Sequence, residues 1–124
     1  MKLNLQAIAS LDGDRKALQA ISEKDFSVAV REYAEAHGWR VHYQGRTGGF
    51  GRDGKTWRSN APSGWPDLTL ARTSDRRLMV LELKTMKGRT SPAQDDWLQT
   101  LAIVGVETEV ARPSDAAMLM ERLA

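Results

Sequence analysis

Asp67, Glu82 and Lys84 are the residues whose types and spacing could do chemistry. Glu82 and Lys84 flank one residue in the run Leu78-Met79-Val80-Leu81-Glu82-Leu83-Lys84. Alternate side chains of a strand share a face, so an acid and a lysine point together from a largely apolar strand. Asp67 opens the preceding run, Asp67–Ala71, just after Gly64-Trp65-Pro66. If the two runs pair as a hairpin through the polar turn Arg72–Arg77, Asp67 comes beside Glu82 at one end of a sheet. Neighbouring carboxylates repel unless a cation joins them. Oxygen ligands in a chain without cysteine suit Mg²⁺ or Mn²⁺ rather than zinc. Such a cation polarises a phosphodiester, and a lysine beside it can hold the nucleophilic water and balance charge as the pentavalent state forms. Glu-x-Lys alone is weak evidence, since an exposed pair of this kind is worth only about 0–1 kcal/mol. Asp67 alone could simply close a Pro-Asp turn. Both together, with a basic, glycine-rich segment leading into Asp67, are harder to produce by accident.

The surrounding pattern supplies elements to hold these residues. Ser22-Glu23-Lys24-Asp25 is a capping-box-like helix start, with acids where the helix dipole favours them. Phe26, Ala29, Val30, Tyr33 and Ala34 then form an apolar stripe that stops at Gly38. Trp39–Tyr43 alternates with period two and reads as a half-buried strand. After the hairpin, Ser91-Pro92-Ala93-Gln94 opens a second helix, whose buried side is expected to be Trp97, Leu98, Leu101 and Val104. Val106–Ala111 reads as a strand and Ser114-Asp115 starts a terminal helix carrying Ala116, Leu119, Met120 and Leu123. The predicted order is α-β-β-β-α-β-α, with the crossover helix placing the fourth strand parallel to the third. Residues 1–21 show no settled period beyond a turn at Asp12-Gly13-Asp14 and a short helix near 15–21. They read as an N-terminal arm: a packing segment, a dimer contact or a frayed tail.

The length of 124 residues, 41% hydrophobic and 27% charged, argues for one domain and against disorder or a separate cofactor module. No apolar run approaches a membrane span or a signal peptide core, so the expected location is cytoplasmic. Without cysteine there is no disulfide, thiolate cluster or cysteine nucleophile. His37 and His42 could supply only part of a metal site and are expected to be structural or solvent-facing. The net charge of +2 conceals segregation: residues 40–60 and 72–89 each carry a net +4, and residues 90–124 a net −4. Two basic blocks suit a polyanion, although an ordinary solvated surface can carry the same charges. The 21-residue stretch 44–64 holds six glycines among basic and aromatic residues and reads as a long connection without regular structure, either functional or a floppy insertion with incidental arginines. Its Arg46, Arg52, Lys55 and Arg58, with Lys87 and Arg89 beyond the hairpin, are candidate contacts to a phosphate backbone.

Gly64-Trp65-Pro66-Asp67, Glu82-Leu83-Lys84 and Ser91-Pro92-Ala93-Gln94 together resemble the successive motifs of the VRR-NUC branch of the PD-(D/E)XK nucleases. The start of its first helix is similar to Ser22–Asp25, and the resemblance spans about 22–114. It implies a restriction-endonuclease-like α/β core with a mixed central sheet over residues 22–124, and metal-dependent cleavage of DNA. It also implies Asp67 and Glu82 as metal ligands with the backbone carbonyl of Leu83, and Lys84 as the residue that orients or activates water. Glu23 would add a carboxylate, or be only a helix-start acid. Gln94 would support the site, or serve only its capping box. Stand-alone members are similar to small phage and prophage proteins and are associated with four-way junctions and other structured DNA. Symmetric cutting needs two centres, so a homodimer through the N-terminal arm or first helix is expected. A module with this fold that binds nucleic acid without turnover is the competing expectation.

Overall fold

The computed structural model describes residues 3–44, 48–50, 56–58 and 64–124, with 48–50 and 56–58 described by their backbone. Helix α1 (Leu5–Ala9) and α2 (Arg15–Gln19) precede α3 (Glu23–Ala36) and strand β1 (Arg40–Tyr43). Strands β2 (Gly48–Phe50) and β3 (Thr56–Arg58) follow, then β4 (Leu68–Arg72) and β5 (Arg77–Leu83). Helix α4 (Pro92–Ile103), β6 (Glu107–Ala111), a 3₁₀ turn at Pro113–Asp115 and α5 (Ala116–Leu123) complete the chain.

A four-stranded sheet in the order β1-β4-β5-β6 forms the centre. β4 lies antiparallel to β1 and β5, and β6 runs parallel to β5. This mixed α/β sheet is the restriction-endonuclease-like arrangement expected. The β4–β5 register sets Leu68 opposite Leu81 and Arg72 opposite Arg77, so the hairpin turns where the polar residues 73–76 demand it. One step beyond that ladder, Asp67 falls level with Glu82.

One face of the sheet carries the core. Leu68, Leu70, Met79, Leu81 and Leu83 pack with Phe26, Ala29 and Val30 of α3 and with Leu119 and Leu123 of α5, all buried. At roughly 1.5–3 kcal/mol per fully buried side chain, this face dominates the fold's stabilisation. The described residues before α3 belong to it, because Leu5, Ile8, Leu18 and Ile21 are buried in the same cluster. Their short helices are held by Asn4 and Asp14 caps, too brief to display a helical period in sequence. Trp39 locks the far end: its Nε1 donates to the Leu123 carbonyl at 2.9 Å, and the Arg72 and Arg77 guanidinium groups stack on its ring.

Two expectations need correction. The 44–64 connection is not without regular structure, since the backbones of β2 and β3 pair antiparallel with Gly49 opposite Trp57. Glycines have no side chain to alternate, so periodicity could not reveal that ribbon. Helix α4, expected to bury Trp97, Leu98, Leu101 and Val104, buries none of its residues, and Val104 is 69% exposed. The helix packs on β6, the edge strand, and only part of its girth is covered.

Candidate active site

The site end of the sheet is assembled by three local devices. Ser22 Oγ accepts from Asp25 N at 3.0 Å, capping α3 and fixing where Glu23, Lys24 and Ser27 stand. At α4, Ser91 Oγ accepts from Gln94 N at 3.2 Å while Gln94 Oε1 accepts from Ser91 N at 2.8 Å, a reciprocal box with Pro92 at the first turn. Between them runs the strap Gly64-Trp65-Pro66. Gly64 has φ +84, and a Cβ there would lie 2.5 Å from the Ala93 carbonyl carbon, so only glycine lets the strap approach α4. Trp65 meets Trp97 edge-on at 4.9 Å and donates from Nε1 to Thr69 Oγ1 at 3.3 Å.

Asp67, Glu82, Lys84 and Gln94 are brought together there. Asp67 Oδ2 accepts from Leu83 N at 3.0 Å, tying the carboxylate to β5. Glu82 is completely buried. Its Oε1 accepts from Gln94 Nε2 at 2.9 Å and lies 3.6 Å from Lys84 Nζ, a charge contact too long for a hydrogen bond. Glu82 Oε2 is buried with no partner. Burial first, then the neighbouring Asp67 carboxylate, push the Glu82 pKa up to about 8, against the opposing pull of Lys84. Glu23 is raised as well, by burial and then by Asp67, with Lys84 opposing.

A cleft of about 380 Å³ opens beside these groups. Glu23, Lys24 and Ser27 of α3 line it, with Tyr43 and Gln44 at the end of β1 and Asp67 and Leu83. Glu82 and Lys84 flank Leu83 in sequence but are not part of that lining, and the Lys84 side chain is only 13% exposed. A buried carboxylate oxygen without a donor is costly unless a proton or a cation meets it. The donors here are oxygens, which fits a hard divalent cation. Among the described residues no three His, Cys, Asp or Glu side chains close into a ready-made metal group, so Glu23 stands near the pair without completing it.

Lys87 and Arg89 are exposed in the β5–α4 connection. Arg46, Arg52 and Lys55 lie outside the described residues, and Arg58 is placed only by the backbone of β3. His37 Nδ1 contacts the Tyr33 carbonyl at 2.8 Å and its ring stacks on Tyr33, while His42 is exposed. Ser27, Tyr43 and Gln44 went unnoticed in sequence. For Ser27 the signal was available: it sits four residues after Glu23, on the same helix face, and interrupts a buried stripe at 4% exposure.

A model of the VRR-NUC domain matches residues 53–115, half of the chain, including Asp67, Glu82, Lys84 and Gln94. Among solved structures, a chain of the cryo-EM structure of the DrdV–DNA complex is similar, with 18% identity and a TM-score of 0.37. The alignment covers 97% of this chain and 13% of that one, so this chain spans a small part of the other's length. No curated protein matches. Asp67, Glu82, Lys84 and Gln94 sit together at one sheet end and inside the matched span, and the chain belongs to the VRR-NUC domain family, which is of nuclease type.

Proposed function

We propose that this protein is a metal-dependent DNA endonuclease that hydrolyses phosphodiester bonds in branched or otherwise structured DNA, such as four-way junctions or flaps. The observation that carries the reading is the orphaned Glu82 Oε2, buried beside a second carboxylate at Asp67. Neither core packing nor simple binding of a polyanion calls for two acids at that position. Asp67, Glu82 and the Leu83 carbonyl would hold Mg²⁺ or Mn²⁺, with Glu23 contributing from α3. When bound, the cation supplies Lewis-acid polarisation of the phosphoryl oxygen. Lys84 orients the attacking water through Nζ and offsets the negative charge that develops on the phosphoryl group. Gln94 keeps Glu82 aimed, and the Leu83 amide does the same for Asp67. Water adds to phosphorus as the bond to the leaving oxygen breaks, giving a phosphomonoester and a free hydroxyl. Among the described residues one chain holds one such site, so paired cuts in a junction call for a homodimer.

The test is cleavage of labelled four-way junction, flap, duplex and single strand in Mg²⁺, Mn²⁺ or EDTA. The expected result is cleavage with either metal and none in EDTA, with junction or flap cut faster than duplex. Lys84→Ala and Asp67→Asn should each lower the rate by roughly 100-fold or more. Equal cleavage by both variants would assign the activity to other residues or a contaminant. DNA binding with no cleavage under any metal would instead support the fold as a binding module.

A further inference from the structure

The cleft is lined in part by residues of α3 and of the end of β1 that the hydrolytic step does not use. Lys24 is exposed on its wall, and Tyr43 lines it with 47% of its surface open to solvent. The Arg31 guanidinium carbon sits 4.2 Å from the centre of the Tyr43 ring. Arg31 Nε donates to Ser27 Oγ at 3.3 Å, and Ser27 is itself buried. Among the described residues, no carboxylate pairs with Lys24 or Arg31. Three other half-buried arginines are paired with carboxylates, Arg72 with Asp75, Arg77 with Glu107, and Arg122 with Glu107 and Glu109, while Arg112 donates to the Gly88 carbonyl at 2.8 Å.

From this juxtaposition we propose that Lys24, Arg31 and Tyr43 form a strand-binding subsite for the DNA flanking the reacting phosphate. It rests on the nuclease reading above. Lys24 and Arg31 grip backbone phosphates, and Tyr43 offers its ring to an unpaired base. The geometry suits the chemistry in three ways. The Tyr43 ring and the bond to Ser27 hold the Arg31 fork in place, with no partner on its terminal nitrogens among the described residues, so that they can meet a planar anion. A ring already braced on one side loses little freedom when a base stacks against it. Lys24 and Arg31, seven residues apart on one helix face, are separated by roughly 10 Å along the axis. At about 3.4 Å of duplex rise per nucleotide, that distance reaches different phosphates. A bland role also exists, in which Arg31 only clamps α3 onto β1, and the test must tell the two apart.

The experiment measures binding of a fluorescein-labelled single-stranded DNA 12-mer in EDTA, at several salt concentrations, together with steady-state cleavage in Mg²⁺. Lys24→Ala and Arg31→Ala should each weaken binding and lower the slope of log K against log salt by about 0.7. Tyr43→Ala should weaken binding roughly tenfold, and Tyr43→Phe, which keeps the ring, should retain most of that affinity. In cleavage, KM should rise more than kcat falls. Unchanged affinity and salt slope in Lys24→Ala and Arg31→Ala overturn the subsite, even if Arg31→Ala lowers Tm as a clamp would. Lys24 is exposed and unpaired among the described residues, so its variant remains informative if Arg31→Ala does not fold. Wild-type cleavage with normal binding by the variants removes the subsite and leaves the nuclease reading standing. Tight, variant-sensitive binding without any cleavage does the reverse.

Discussion

Gln94 is committed at both ends of its amide. Its Oε1 closes the α4 box on Ser91 N, and its Nε2 is the donor that meets Glu82 Oε1. Spacing suggested a capping box and the family resemblance a contact with the acids, and one side chain makes both the bond to Ser91 N and the bond to Glu82. Gln94→Ala should therefore cost more than a cap. The Ser91 bond to the residue-94 backbone amide survives, but losing the reciprocal bond from Ser91 N costs about 1 kcal/mol, and a buried carboxylate oxygen deprived of its donor adds about 1–3 kcal/mol. Urea unfolding in EDTA should show a clear drop in midpoint with little change in m. An unaltered midpoint would mean that Gln94 does not hold Glu82 in solution.

At the scale of elements, the strap before β4 decides whether the acid of one strand meets the helix behind the other. Gly64 permits the close approach to Ala93, Trp65 leans on Trp97, and Asp67 then enters level with Glu82. In Gly64→Ala, the added Cβ meets the α4 backbone at 2.5 Å in a left-handed conformation. A penalty of about 1–2 kcal/mol for the conformation alone, plus displacement of the strap, should lower Tm by roughly 5 °C or more. Cleavage should fall further than the residual folded fraction explains, because Asp67 and Gln94 move apart. Calorimetry beside a cleavage assay at low temperature checks this, and wild-type Tm with wild-type rate would count against it. The glycine was visible in the sequence, but its necessity was not. Nothing local says that residue 93 lies against it.

For the whole molecule, opposed carboxylates predict a stability profile. Glu107 accepts from Arg77 at 2.9 and 2.7 Å and pairs with Arg122, so the Arg77 hydrogen bond above all holds its pKa below the ordinary value. Its contribution is present above the unfolded value of 4.5 and fades as pH falls through the folded one. Glu82 has the opposite sign. Between about 4.5 and about 8 the folded protein keeps a proton that the unfolded chain has released, so stability falls as pH rises through that window. Metal-free protein should thus melt higher near pH 5.5 than near pH 8.5. Added Mg²⁺ or Mn²⁺, competing with that proton, should raise Tm more at the higher pH. Differential scanning fluorimetry in EDTA and in metal reads both, with Glu82→Gln expected to flatten the alkaline limb. A melting temperature in EDTA that climbs towards pH 8.5 would contradict the buried, proton-holding Glu82.

What the sequence determined by itself is what short-range rules control. Alternation marked β5 and placed Glu82 and Lys84 on one face, caps marked α3 and α4, and the polar turn set the hairpin that levels Asp67 with Glu82. Three features depended on contacts between residues distant in the chain. Leu5 and Ile8 are core because α5 and α3 cover them, although five residues of helix cannot announce an apolar face. α4 carries an apolar pattern yet stays open, because the strand beneath it is the sheet's edge. Tyr43 joins Arg31 and Ser27 beside the cleft only because β1 returns along α3. Propensity and periodicity act over a turn or a strand, whereas burial and electrostatic company are set by which elements meet, and only the folded chain decides that.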